Sequence, residues 1–187
     1  MKIGDVVSTM TRMLLLVLAA AIVFGSAGLR SSVSQSDPGK PMSFTPMGQI
    51  ISGTRMPYMM GSGIWDQLRL VVRDPETWAN LWKQIHSLGP GNPPSPQAPP
   101  LPDIDFSREM VIVAAMGRRP SSNYSIIIDG AFAYERNYRL EVMVRSVENR
   151  KGCGAFTVMT APIDIVRLPK TDRTVLFRET EVVPDCK

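Results

Sequence analysis

Apolar residues occur along most of this chain in short runs punctuated by Gly, Pro, Asp, Asn and Ser. That is the pattern of strands joined by turns rather than of long helices. The run around which the rest is arranged is Met110 to Ile128, MVIVAAMGRRPSSNYSIII. Met110 to Met116 is unbroken apolar sequence between Glu109 and Gly117, and so short a run predicts a strand covered on both faces. Ser125 to Ile128 predicts a second buried strand after Tyr124. Between them Gly117-Arg118-Arg119-Pro120-Ser121-Ser122-Asn123 predicts a turn. Gly and Asn tolerate positive φ, and Pro fixes its own φ and supplies no donor. Two adjacent arginines are too polar to bury unpaired, so the tip of this bend is expected to face water or a partner.

Further strands are predicted on both sides. Gln49 to Ser52 holds Ile50 and Ile51, Arg55 to Gly63 reads as a loop, and Leu68 to Val72 alternates with Arg69 and Arg73. After Ile128, Asp129-Gly130 predicts a turn or bulge. Ala131 to Glu135 and Tyr138 to Val144 follow, the latter a period-two run with Tyr138, Leu140, Val142 and Val144 on one face and Arg139, Glu141, Met143 and Arg145 on the other. Ala155 to Thr160 and Ile163 to Leu168 flank Ala161-Pro162, where the proline argues for an edge or bend. Thr174 to Val183 reads as the last strand.

One helix interrupts this series. Asp74 can cap it, Pro75 suits its first position, and Glu76 favours its N-terminal dipole. Trp78, Leu81, Trp82, Ile85 and Leu88 then form one apolar face, with an end at Gly89-Pro90. Those tryptophans are expected in the core, and His86, the single histidine, at the helix end facing solvent. Gly89 to Pro102 carries seven prolines and predicts an extended, stiff connector. The fold class is therefore mainly β (α+β), an antiparallel β-sandwich or open barrel with one amphipathic helix.

Outside this domain the composition changes. Lys2 and Arg12 precede the apolar run Met13 to Phe24, and Gly25-Ser26-Ala27-Gly28 follows it. This is the pattern of a secretory signal, with cleavage expected after Ala27. The run is shorter than the roughly 20 residues of a spanning helix, and an uncleaved anchor is the alternative. Residues 28–47 are rich in Ser, Pro and Gly and read as a flexible linker, which leaves 48–187 as a single β-rich domain. The expected location is the periplasm, the cell envelope or the exterior.

Charge and candidate chemistry narrow the function classes. The net charge is +4 with no dense Lys/Arg cluster, so nucleic-acid binding has no support. Membrane contact is expected only through the N-terminal segment, if it stays uncleaved. Cys153 and Cys186 are not a CxxC pair and make a poor metal site. In an exported protein the expectation is one disulfide between them, contributing roughly 3–4 kcal/mol in the chain-entropy account. Asp103, Asp105 and Glu109 lack the further oxygen ligands of a calcium loop and read as strand-entry turn residues. One histidine, no GxSxG and no phosphate-binding glycine loop point away from an enzyme, and no catalytic, metal or cofactor set is assigned.

The order of motifs resembles a known family. Trp78, Leu81 and Trp82 on a helix precede Ile104 to Ser107, then an apolar strand, then Gly117 to Ile126, Leu140 to Val144, and Thr160-Ala161-Pro162 with Val166, Leu168, Pro169 and Lys170. Over roughly Asp66 to Glu181 this is similar to the C-terminal domain of the protease complex subunit PrcB family. The family usually has Gly-Gly before the tyrosine, where this chain has Ser122-Asn123, and this chain lacks a lipobox cysteine. The resemblance implies an exported, non-catalytic accessory that assists the maturation or stability of a secreted protease. The contact loop expected from the residues is Arg118, Arg119, Pro120, Ser121, Ser122, Asn123 and Tyr124. The alternatives are a protease inhibitor using the same loop, and a cell-wall or carbohydrate binder using Trp65.

Overall fold

A computed structural model describes residues 37–47, 49–51, 54–56, 62–149 and 154–185. The chain divides into two units, Met1–Ser36 and Asp37–Lys187, and all described residues belong to the second. The apolar run Met13 to Phe24 and both cysteines, Cys153 and Cys186, lie outside them.

The elements are β1 (Lys40–Pro41), β2 (Thr45–Pro46), β3 (Gln49–Ile51), β4 (Thr54–Met56), β5 (Leu68–Val72), α1 (Pro75–Ile85), β6 (Glu109–Ala115), β7 (Tyr124–Tyr134), β8 (Arg139–Glu148), β9 (Ile163–Pro169) and β10 (Thr174–Val182). One four-stranded sheet has the order β1-β7-β8-β10 and the other β2-β9-β6-β5. They stay separate sheets rather than closing into a barrel, so the fold is a β-sandwich. Strands β3 and β4 pair with each other, which makes a strand of Thr54–Met56, where a loop is expected. The linker expected through residue 47 ends sooner. Lys40 and Pro41 pair with Ala133 and Phe132, and Thr45 and Pro46 pair with Arg167 and Val166. These pairings add Lys40–Pro41 to one sheet and Thr45–Pro46 to the other.

The unbroken apolar run explains the layering. Met110, Ile112 and Ala114 of β6 point between the sheets, where they meet Ile126, Ile128, Leu140, Val142, Val144, Val166 and Leu168. Val111, Val113 and Ala115 point the other way, against Trp78, Leu81, Trp82 and Ile85 of α1. A strand buried on both faces has no polar side to alternate with. Strand β7 keeps one inward face only by a register shift. Ile126 and Ile128 are buried before it, and Ala131 and Ala133 after it, with a bulge between Ile128 and Gly130. The extra residue inverts the parity of the strand, so one continuous β7 replaces the two strands expected. The buried Asp164 of β9 serves this bulge by accepting from the Ile128 N–H at 2.7 Å.

Other expectations change in the fold. Strands β8 and β10 pair in parallel, so the sandwich is not purely antiparallel. The helix starts as predicted, with Asp74 accepting from the Thr77 N–H at 2.8 Å and Pro75 in its first turn. It ends at Ile85 with His86 as its cap, which leaves Leu88 outside the apolar face and 82% exposed. The proline-rich stretch is no free spacer. Trp82 Nε1 donates to the Pro99 carbonyl and Trp78 Nε1 to that of Pro102, both at 3.1 Å, so the strap lies over the helix. Tyr138 precedes β8 at φ 48° and is exposed instead of facing the core.

Candidate functional site

Topology gathers the expected contact loop and several distant segments at one end of the sandwich. The register of the strands places the end of β6, the starts of β5, β7 and β9 and the ends of β8 and β10 together. Strands β6 and β7 lie in different sheets, so Gly117–Asn123 is an arch between sheets and not a hairpin bend. The β8–β9 connection joins the sheets the other way, and its described part, 154–162, lies beside the arch. Arg119 and Thr160 exchange backbone hydrogen bonds at 2.8 and 2.9 Å, the Ser122 N–H donates to Phe156 O, and Thr160 Oγ1 donates to Ser121 O. The segment 155–160, expected as a strand, makes only this isolated bridge, between Arg119 and Thr160.

Trp65, just before β5, is the centre of this end. Its carbonyl accepts from the Arg118 N–H at 3.0 Å, and the Arg118 guanidinium lies 4.5 Å from the ring centroid. Two glycines make room for it. Gly117 has φ +73°, and a Cβ there would sit 2.8 Å from the Trp65 carbonyl oxygen. A Cβ on Gly89 would sit 2.3 Å from the indole ring, again at positive φ. Residues far apart in sequence thus hold one tryptophan at 39% exposure.

The arch residues divide by role. Arg118 and Pro120 are exposed, whereas Arg119, Ser121, Ser122, Asn123 and Tyr124 are half-buried. Arg119 lies 5.7 Å from the Tyr124 ring centroid. The Tyr124 hydroxyl donates to Glu148 at 2.9 Å, and that hydrogen bond holds the phenol above its ordinary range. Asn123 does not adopt positive φ, as Tyr138 is the one non-glycine residue that does among those described. The arch turns on Gly117 alone. Phe156, Val158 and Met159 are exposed beside it. Met159 shares a groove with the exposed Leu88, and the sequence pattern puts 155–160 in a strand and Leu88 on a helix face.

A cavity of about 190 Å³ opens here, lined by Trp65, Leu88, Arg118, Met159, Ser62 and Ser87 among others. A smaller one, about 140 Å³, lies on the far side of Arg119 against Tyr124, Glu148 and Val183. A larger depression, about 400 Å³, is elsewhere, between Asp105, Arg108, Glu109 and Pro169. Its acids are already engaged. Asp105 accepts from both the N–H and the hydroxyl of Ser107, and Glu109 lies 3.7 Å from Arg167. Asp105 is thus the strand-entry turn residue expected. His86 is half-buried and edge-on to Trp82, with ring centroids 4.4 Å apart, rather than in solvent; burial lowers its pKa. Among the described residues no cluster of His, Cys, Asp and Glu is placed to hold a metal, and no helix is long and apolar enough to cross a membrane.

Fold and site together define a small β-sandwich domain that presents an arginine-bearing, partly apolar end. Residues 110–169 match the family described as PrcB C-terminal. That span is β6 to β9 with both inter-sheet arches, and it leaves out Trp65, α1 and β10. Comparison with curated proteins and with solved structures finds no match.

Proposed function

We propose that this domain is a non-catalytic protein-binding module of an exported protease complex, and that its contact surface is the Trp65–Arg118 end of the sandwich. The similarity of residues 110–169 to the PrcB C-terminal family supports association with a protease complex and a protein partner in general. The N-terminal apolar run supports export. The observation that carries the choice of surface is Arg118 laid over a half-exposed Trp65 that two glycines cradle. Tryptophan and arginine are enriched among the residues that dominate interface energies.

The arch is bonded to residues 156–160 along its length, so it lies against the domain. An inhibitor loop must project several residues into a protease cleft, and in this arch only Arg118 and Pro120 are exposed. One face of Trp65 lies under Arg118, which removes a face that a sugar would stack on. The test is affinity capture from envelope fractions with the full chain and with its Arg118→Ala/Arg119→Ala variant. The expected result is a protease among the captured proteins, lost with the variant while the thermal transition is unchanged. Undiminished capture by the variant overturns the assignment of this surface.

A further inference from the structure

We propose that the groove between Trp65, Leu88, Met159 and Arg118 receives one apolar side chain from an extended acidic segment of the protein partner, with Arg118 binding a carboxylate beside it. This rests on the reading of this end as the contact surface and adds the chemistry that it recognises.

Size comes first. At about 190 Å³ the groove is below the roughly 300–1,000 Å³ of small-molecule sites, yet it has room for a single side chain. The polar groups in its wall are already used. The Ser62 hydroxyl donates to the Ala161 carbonyl at 2.7 Å, and the Ser87 hydroxyl bonds the Gln84 and Gly89 carbonyls. What remains open to a ligand is the indole, Leu88, Met159 and the guanidinium.

Charge comes second. Arg69, Arg139, Arg145, Arg167, Arg173 and Arg178 all lie within ion-pair distance of a carboxylate. Among the described residues Arg118 pairs with no carboxylate, and unlike Arg73, Arg108 and Arg136, which also make no ion pair there, its guanidinium lies over an indole, 4.5 Å from the Trp65 ring centroid. A planar guanidinium fixed this way loses little freedom on forming a bidentate carboxylate pair. A lipid surface fits less well. Polybasic clusters of about four to eight Lys/Arg mark anionic-membrane binding, whereas here one arginine flanks a narrow concavity.

The test is fluorescence polarisation of the full chain with a short labelled peptide that alternates glutamate with leucine and phenylalanine. The same peptide with lysine for glutamate, and with serine for the apolar residues, serves as the comparison, and phosphatidylglycerol vesicles are tested by co-sedimentation. Saturable binding of the acidic apolar peptide is expected, weakened by salt, and absent with both comparison peptides. Arg118→Ala, Leu88→Ser and Met159→Ser should each weaken it by about tenfold or more. Leu88 is 82% and Met159 54% exposed, so those variants test the groove without touching the core. No binding, equal binding of the lysine peptide, indifference to all three variants, or sedimentation with vesicles in place of peptide binding would each overturn the proposal. If arginine-dependent capture of a protease persists while the peptide is ignored, the surface stands and only the groove chemistry falls.

Discussion

Trp65 shows how much of this domain depends on single residues in unusual places. Gly117 can pass under its carbonyl only without a side chain and only at positive φ. Gly117→Ala should therefore destabilise the domain by more than about 1 kcal/mol in urea unfolding. A neutral outcome would mean that the arch can move off Trp65. His86 gives a second residue-scale prediction. Burial against Trp82 lowers its pKa below the ordinary value of about 6.5. The unfolded chain then binds a proton at a higher pH than the folded one. The contribution of neutral His86 is complete above about pH 6.5 and declines as pH falls through the lower folded value. His86→Gln should flatten this slope in urea midpoints measured from neutral to mildly acidic pH; an unchanged slope rejects the assignment.

At the scale of elements, the chain's periodicity announced the parts better than their partners. An unbroken apolar run in Met110 to Met116 was enough to foresee a strand with two buried faces. Asp74 and Pro75 were enough to place the start of α1. Asp129-Gly130 marked a turn or a bulge, and only the pairing with β8 decides for the bulge. Nothing local says that β7 leaves the sheet of β6, or that β10 runs parallel to β8, since both depend on contacts distant in sequence. The candidate site was legible in part for the same reason. The arginines of the arch stood out, whereas Trp65 acquires its role from Gly89 and Gly117, and Phe156 looks like any strand residue until it is seen exposed. Asp164 was hidden in an apolar run, and it carries the element-scale prediction. Asp164→Ala leaves the buried Ile128 N–H without this acceptor and should cost about 1–3 kcal/mol, while Asp164→Asn, which keeps an oxygen, should cost less. Equal stability of the alanine variant in urea would show that the bulge finds another acceptor.

At the scale of the whole molecule, the two sheets must be held in register if their shared end is to present one surface. Arg69 of β5 spans the seam to Glu179 of β10, with hydrogen bonds at 2.7 and 3.0 Å. It also donates to the Leu68 and Ala115 carbonyls at 2.7 Å. Loss of Arg69 removes bonds to charge and backbone alike, so Arg69→Ala should cost about 1.5–3 kcal/mol. Glu179 is more exposed, and Glu179→Ala should cost under about 1 kcal/mol. Equal losses in thermal unfolding would reduce Arg69 to its ion pair. At the opposite end Arg173 bonds the Tyr134 carbonyl and Glu135. Recognition is placed at Trp65 and Arg118 because there a guanidinium lies over a half-exposed indole beside a narrow groove. The most direct test is amide hydrogen exchange of the full chain, free and in the captured complex. New protection at residues 117–124 and 154–160 is predicted, and protection confined to the Tyr134–Arg139 turn or the outer sheet faces would contradict it.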